Sequence, residues 1–296
     1  FDKHNSSDRF GAAQRLRTQI DVIASESLKG VVYFEIGDTH WGHAKDGASL
    51  GTDGRTVEVR YSYIDWAIPE TDVLVRMGLQ PFVMPGFVAG SAVLDGDGAG
   101  ITISNQFTEN VSASLFWLRA ENDNDPEMTK HDAHDAMDFI GVTVPMTFDG
   151  VKVTPWGMGG IIGHDSFKGG NFDLNYPMAQ GMLPLMGTST IVANSDKDHG
   201  SAWFGGVSAD VTYFEPFRFA LDAAYGSVDM GTSKYKDKNF DVKRSGWYAA
   251  FLAEYKLESC TPGLLFWYSS GDDANPYNGS ERLPSIDPDV YVTSYG

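Results

Sequence analysis

Cysteine and positive charge are what this sequence has least of. A single cysteine, Cys260, stands in 296 residues, which excludes an intramolecular disulfide framework, a zinc ribbon and a CxxC redox site. The 22 lysines and arginines are outnumbered by 40 aspartates and glutamates, giving a formal net charge of −18. Because nucleic-acid binding needs clustered cations to neutralise phosphates, we expect no nucleic-acid partner.

Long apolar runs are also missing. No stretch of about 18 consecutive apolar residues occurs, so the sequence predicts no membrane-spanning helix. Glycine makes up 33 residues, aromatic residues 13% of the chain and proline only 13 residues. This composition is typical of an ordered, turn-rich chain and not of a disordered one.

The clearest pattern in the sequence is an alternation of apolar and polar residues. From 217 to 225 the odd positions are Phe, Phe, Leu, Ala and Tyr, while Arg and Asp occur among the even ones. A period of two is typical of a β-strand with one apolar and one polar face. We predict about twelve strands, near 14–25, 28–37, 55–67, 72–80, 100–108, 111–121, 136–148, 150–163, 202–214, 217–228, 243–257 and 262–271.

The connections between these strands fall into two classes that alternate. Short turns lie at 25–27, 69–71, 108–110, 149–150, 215–216 and 258–261, and long loops rich in Gly, Asp and Asn lie at 38–54, 81–99, 122–135, 164–201 and 229–242. Transmembrane barrels show this asymmetry, and only a closed sheet pairs all its backbone groups in a bilayer. The sequence therefore predicts an all-β, transmembrane antiparallel up-and-down β-barrel, with a β-sandwich as the alternative.

Aromatic side chains and face assignments agree with a barrel. Aromatic rings favour the interface between membrane and water, and they crowd the predicted strand ends at Trp66, Phe82, Phe107, Phe148, Phe214, Phe217, Tyr255 and Trp267. Alternation places Val211 and Leu221 on the lipid face and Ser208 on the lumen face. We expect an arginine to be tolerated only at the lumen position.

Two segments carry a resemblance to a known family. They read QRLRTQIDVIASESLKGVVYFEIG at 14–37 and RYSYIDWAIPETDVLVRMGLQPFVMPGFVAGSAVLDGDGAGITISNQFTENVSASLFWLRAEN at 60–122. Both closely resemble outer-membrane homotrimeric porins of Desulfovibrio-type sulfate-reducing bacteria. The resemblance implies a sixteen-stranded barrel of the bacterial outer membrane that forms a homotrimer and contacts lipid and lipopolysaccharide. It also implies passive diffusion of small hydrophilic solutes and ions, with no enzymatic activity and no obligatory cofactor.

We expect residues 1–296 to form one barrel domain. About twelve strands in this length amount to about 25 residues per strand, so sixteen strands need roughly 400 residues. We therefore expect the chain to be a fragment that lacks strands at one or both ends. The alternatives in other classes are a secreted β-sandwich that binds carbohydrate and an outer-membrane enzyme.

Residues 81–100 are predicted to fold into the barrel as a constriction loop. The segment is too apolar to lie in water, and it ends in two aspartates, Asp95 and Asp97. In general porins the third long loop folds inward, and this loop is the third if one hairpin precedes the chain. Asp95 and Asp97 would then form the acidic side of the pore constriction.

The basic side is assigned to arginines on the polar faces of the first four predicted strands. A transverse field between the two sides would orient dipolar solutes and filter ions by charge. Alternatively, these arginines pair with Asp21, Glu35 and Glu58 and hold the strand register. The arginines in question are Arg15, Arg17, Arg60 and Arg76.

Two groups of metal-ligating residues stand in the predicted loops. One is His-Asp-Ala-His-Asp at 131–135, and the other is His40 and His43 on either side of Trp41. We interpret both as solvated loops, with a transition-metal site as the alternative. The acidic loops also offer oxygen ligands for a structural Ca²⁺, without the spacing of an EF-hand.

Overall fold

The computed structural model describes residues 11–51, 57–122, 136–164, 166–167, 177–184, 195–235 and 237–290. Nearly all the regular structure within these ranges is β. The elements are β1 Ala13–Ile23, β2 Leu28–His40, a 3-10 turn Ala44–Asp46, β3 Glu58–Ala67, β4 Val73–Val83, β5 Gly90–Ser91, β6 Asp95–Thr108, β7 Val111–Glu121, β8 Met137–Thr143, β9 Met146–Phe148, β10 Val151–Gly163, α1 Pro177–Met182, β11 His199–Val211, β12 Phe217–Tyr235, β13 Lys238–Tyr255, β14 Gly263–Ser269 and β15 Asp289–Val290. No helix within the ranges given above is long and apolar enough to cross a membrane.

The strands form one antiparallel meander. Its order is β1-β2-β3-β4-β6-β7-β8-β10-β11-β12-β13-β14, and β9 completes a 13-stranded sheet by pairing with β10 and β7. Among the described residues no pairing joins β1 to β14, so the sheet has two free edges. The short strands β5 and β15 pair separately with each other. The prediction of an all-β antiparallel meander is confirmed.

Three predicted boundaries were wrong. The loop predicted at 81–99 is shorter, because β4 runs to Val83 and β6 begins at Asp95. Residues 229–242 are not a loop, because β12 continues to Tyr235 and pairs there with Lys238 at the start of β13. The polar residues that suggested a loop lie at the end of a long hairpin, where both strand faces tolerate them. The predicted strand 136–148 is interrupted at Pro145, which has no N–H to donate to the sheet, and so divides into β8 and β9.

One face of the sheet is apolar and exposed. Ile64 and Trp66 on β3 are each 42% exposed, and Phe266 on β14 is 63% exposed. Residues that pair directly across two neighbouring strands lie on the same face, and these pairs extend the apolar face from strand to strand. Other exposed members of this face are Leu16, Ile20, Val22, Ile103, Leu115, Ile140, Trp203, Leu221, Tyr225, Trp247 and Phe251.

The opposite face is covered over the central strands of the sheet, whereas β1 is exposed at every position. Phe116, Phe139 and Phe204 on this face are at most 5% exposed. They belong to one core with Met182 of α1 and Ile286, which lie outside the sheet. The segment 84–94, the helix α1 and residues 283–286 therefore cover this part of the inner face, where a β-sandwich would have a second sheet.

A β-bulge in β3 reverses the predicted faces of that strand. The register with β2 shifts at Tyr33, so that Arg60 is an extra residue between Val59 and Tyr61. Tyr61 consequently faces away from the exposed Ile64 and stacks on Tyr33, with ring centroids 4.9 Å apart. The alternation of Val59, Tyr61 and Tyr63 in the sequence would place all three on one face, but the single inserted residue leaves Val59 on the face opposite to Tyr61.

Seven of the eight aromatic residues predicted at the interface are exposed, with values from 39% for Tyr255 to 63% for Phe107. The exception is Phe82, which is 4% exposed. It lies on the inner face of β4, and its ring centroid is 5.6 Å from that of Phe116. The interior segment that begins at Met84 covers it.

Candidate functional site

The segment between β4 and β6 lies against the inner face of the sheet. Its two ends are joined where the Met84 N–H donates to the Leu94 carbonyl over 2.8 Å. Met84, Val93 and Leu94 are at most 3% exposed and pack into the interior core. We call residues 84–94 the inner segment.

Far strands hold the tip of the inner segment. The N–H groups of Phe87 and Val88 donate to the two carboxylate oxygens of Asp222 on β12, at 2.8 and 2.7 Å. On β11, the Ser208 hydroxyl donates to the Pro85 carbonyl over 3.0 Å. Asp222 is only 4% exposed, so these main-chain donors replace the hydrogen bonds to water that its buried side chain lacks.

Arg218 reinforces this attachment. Its guanidinium donates to the Phe87 carbonyl at 3.3 Å. The same group pairs with Asp210 at 2.9 Å and with Glu254 at 2.8 Å. The inner segment is therefore tied to β11, β12 and β13 through one buried carboxylate and one arginine that bridges two more.

Sequence reasoning did not identify these anchoring residues. Arg218 and Asp222 lie on the polar face of the 217–225 alternation, which shows only that they face the lumen. Their partner, Phe87, is more than 130 residues away in the chain. No local pattern indicates a contact at that separation.

Asp95 and Asp97 stand at the start of β6, where the chain returns from the inner segment. Gly96 lies between them in the strand. A Cβ added at Gly96 would lie 2.5 Å from the Asp287 carboxylate, so this position points to the inner side. The Asp95 and Asp97 side chains therefore begin on the other face of β6. Asp97 nevertheless forms a close ion pair with Arg60, at 2.6 Å.

The four predicted arginines all have acidic partners. Arg17 pairs with Glu35 at 2.6 Å, and Arg60 approaches the same carboxylate at 3.4 Å. The other two pairs are Arg15 with Asp38 and Arg76 with Asp65, both at 2.7 Å.

These bases and acids lie on one wall of the sheet. Arg60 on β3 and Asp97 on β6 are separated by a single strand, β4, and contact each other directly. They do not face one another across an opening. Except for Arg76, the pairs lie where β1, β2, β3 and β6 meet the longer connections, so they form a charged rim at that end.

The observed partners of these arginines agree in part with the alternative, in which the arginines pair with acidic residues and hold the strand register. Glu35 is shared by Arg15, Arg17 and Arg60, as pairing across strands predicts. Asp21, however, pairs with Lys29 at 3.0 Å, and Asp38, Asp65 and Asp97 serve as further partners.

A cavity of about 290 Å³ opens between β6, β7, α1 and Asp287. Its apolar wall includes Leu94, Leu118 and Met178, and its polar side carries Asp97 and Asp287. Burial, together with the negative charges of Asp95, Asp289 and Asp97, raises the pKa of Asp287 above its ordinary value.

The structure describes only one of the two predicted groups of metal-ligating residues. Residues 131–135 lie outside the described residues. His40 and His43 come together with Asp46. Asp272, Asp273 and Glu281 also place their carboxylates close together, in a loop where the Asn278 amide donates to two of them.

No protein-family model and no curated protein matches this chain. Among solved structures, OmpF of Salmonella typhi in complex with daunomycin is 16% identical, with a TM-score of 0.50, over 91% of this chain and 74% of that chain. The trimer form of OmpT from Vibrio cholerae is 11% identical, with a TM-score of 0.36, over 95% and 96% of the two chains. An anion-selective porin from Comamonas acidovorans is 11% identical, with a TM-score of 0.37, over 94% and 86%. The likeness to OmpF is one of fold: the large antiparallel sheet of this chain matches the sheet of an outer-membrane porin barrel.

Proposed function

We propose that this chain forms the wall of a porin-like channel in the bacterial outer membrane, through which small hydrophilic solutes and ions diffuse without catalysis. One observation carries the proposal: an antiparallel meander whose outer face is apolar and uncovered holds a segment of its own chain across the inner face. A β-sandwich buries one sheet face against a second sheet. Here the inner segment, α1 and residues 283–286 take that place.

The inner segment is proposed as the constriction. Asp222 and Arg218 attach its tip to strands far from the two strands where it starts and ends. This attachment keeps the segment across the channel instead of at its mouth. The width available to a solute then depends on those few hydrogen bonds.

The charged rim is proposed to select ions as they enter. Asp97 pairs with the Arg60 guanidinium at 2.6 Å, and Asp95, Asp287 and Asp289 add negative charge next to Asp97. Arg15, Arg17 and Arg76 are neutralised by their own partners. The net charge at this place is therefore negative, which favours cations at the mouth.

We also propose a homotrimer of the type found in porins of Desulfovibrio-like bacteria, as the sequence resemblance implies. The uncovered apolar face offers area both for neighbouring subunits and for lipid. The side with the longer connections would then contact lipopolysaccharide.

Solute entry into liposomes tests the proposal. Liposomes that contain the purified protein should swell in small sugars and amino acids at rates that fall with solute size. The protein should partition into detergent and migrate as an oligomer that heating dissociates. A secreted carbohydrate-binding β-sandwich would instead be recovered in the aqueous phase and leave liposomes impermeable, which would overturn the proposal.

A further inference from the structure

The connection after β2 brings two histidines and an aspartate together. His40 ends β2, and His43 and Asp46 follow at intervals of three residues. The Nδ1 atom of His40 lies 2.9 Å from Asp46 Oδ2, and that of His43 lies 3.8 Å from the same oxygen. One ligand atom from each of these three residues lies within 4.8 Å of the ligand atoms of the other two.

Main-chain bonds hold this arrangement. Gly42 and Gly47 have φ values of 84° and 69°, which glycine adopts without strain. The Gly42 N–H donates to the Ala48 carbonyl, and the Ala48 N–H donates to the His43 carbonyl, both over 3.0 Å. The turn is therefore closed without any contribution from the His43 side chain.

The distances suit one small ion between the three side chains. A tetrahedral zinc ion with ligands at about 2.0–2.1 Å separates neighbouring ligand atoms by roughly 3.3 Å. The two distances to Asp46 Oδ2 are 2.9 and 3.8 Å, on either side of that value. Rotation of the two imidazole rings closes the difference, since the His40 and His43 side chains are 56% and 65% exposed.

Hydrogen bonding within the turn, where the His40 N–H donates to Asp46 Oδ2 over 3.0 Å and the His40 ring lies 2.9 Å from the same oxygen, accounts for only part of the cluster. It explains why His40 contacts Asp46. It does not explain the position of His43, whose ring stacks on that of His40 with centroids 5.3 Å apart and planes at 24°. Both imidazoles turn a nitrogen toward one carboxylate, as the ligands of a shared metal ion do.

We propose that His40, His43 and Asp46 bind a divalent transition-metal ion, of which zinc fits best. Two imidazoles and one carboxylate form a donor set that zinc uses, with water in the fourth position. Calcium and magnesium prefer oxygen ligands and fit poorly. The neighbouring charges are Lys45 in the same turn and Asp38, which Arg15 pairs with. The site stands on the side of the sheet that carries the longer connections and does not depend on the channel proposal.

Calorimetric titration of the detergent-solubilised protein with zinc chloride tests the site. His43→Ala removes one ligand and leaves the main-chain bonds of the turn in place. We expect zinc affinity to fall at least tenfold, since even loss of a residue behind the ligands costs about 10- to 100-fold. His199→Ala on β11 is the matched control and should bind zinc like the unchanged protein. Equal zinc affinity in His43→Ala and in the unchanged protein, or no zinc binding by folded protein, would overturn the proposal.

Trp41 provides a second readout. Its indole N–H donates to Gln14 over 3.1 Å, and it stands between the two histidines in the chain. Copper(II), which suits imidazole ligands and quenches indole fluorescence, should reduce the emission. Trp41→Phe should lose most of this quenching and keep its zinc affinity. Quenching that persists equally in Trp41→Phe and His43→Ala would place the metal elsewhere and contradict the site.

Discussion

Asp222 on β12 accepts a hydrogen bond of 2.7 Å from the main-chain N–H of Val88, a residue 134 positions earlier in the chain. This contact and its neighbour at Phe87 hold the inner segment against the inner face of the sheet. An apolar segment packs on any apolar wall, but directed bonds to one buried carboxylate fix where its tip lies. The proposed constriction therefore depends on Asp222 more than on the charged rim.

Asp222→Ala should release the tip of the inner segment. Two N–H groups lose their acceptor, which costs roughly 1–3 kcal/mol. Single-channel conductance should rise and become noisier, because the segment samples positions closer to the mouth. Asp241→Ala, an exposed aspartate near the far end of the β12–β13 hairpin, is the control and should conduct normally. Unchanged conductance in Asp222→Ala would show that the inner segment does not limit the current.

Arginine substitutions distinguish the two faces of the sheet. Leu221→Arg on the outer face should impair assembly, since a cation near the bilayer midplane costs about 2–4 kcal/mol. Gln19→Arg on the inner face of β1 should assemble, because Asp21 lies within hydrogen-bond distance of Gln19. The measurement is the yield of heat-modifiable oligomer. Equal yields from both variants would refute the face assignment.

The structure changes the effect that we expect from an arginine at Ser208. Alternation places it correctly on the inner face, and the sequence predicts that arginine is tolerated there. In the structure Ser208 is 1% exposed and donates to the Pro85 carbonyl. Ser208→Arg should therefore displace the inner segment and raise conductance as Asp222→Ala does, while the yield of assembled protein stays close to normal. A conductance equal to that of the unchanged protein would contradict this.

How much the sequence predicts depends on whether the signal is local. Strand alternation and the contrast between short turns and long loops are local, and they predict the meander. The bulge at Arg60 and the interruption at Pro145 are single-residue events within otherwise regular patterns, so the alternation alone did not reveal them. The attachment of Phe87 to Asp222 joins distant parts of the chain, and it could not be predicted from either segment alone.

Charge substitutions at the rim should change ion preference. Asp95→Asn with Asp97→Asn removes two negative charges and frees Arg60, so reversal potentials under a salt gradient should shift toward anions. Arg60→Gln with Arg17→Gln, which removes two positive charges of the rim, should shift them toward cations. Both shifts should fade at 1 M salt, where the Debye length falls from about 10 Å to about 3 Å. If neither double variant alters selectivity, the rim lies outside the path of the ions.

The raised pKa of Asp287 predicts a pH effect. A carboxyl whose pKa is higher in the folded chain binds its proton more tightly there, so its contribution favours the folded state at low pH and is lost as pH rises through that pKa. On acidification from neutral pH, Asp287 should lose its charge before an ordinary aspartate does, and cation preference should weaken. Asp287→Asn should start with weaker preference and change less over the same range. Identical pH profiles of the reversal potential in both proteins would contradict the assignment.

Current through a planar lipid bilayer tests the central claim most directly. Purified, oligomeric protein added to one side should produce stepwise increases of conductance that are stable at low voltage and scale with the salt concentration. Protein that inserts, shows the heat-modifiable oligomer on extraction and still leaves the bilayer without current would contradict a channel formed by this chain.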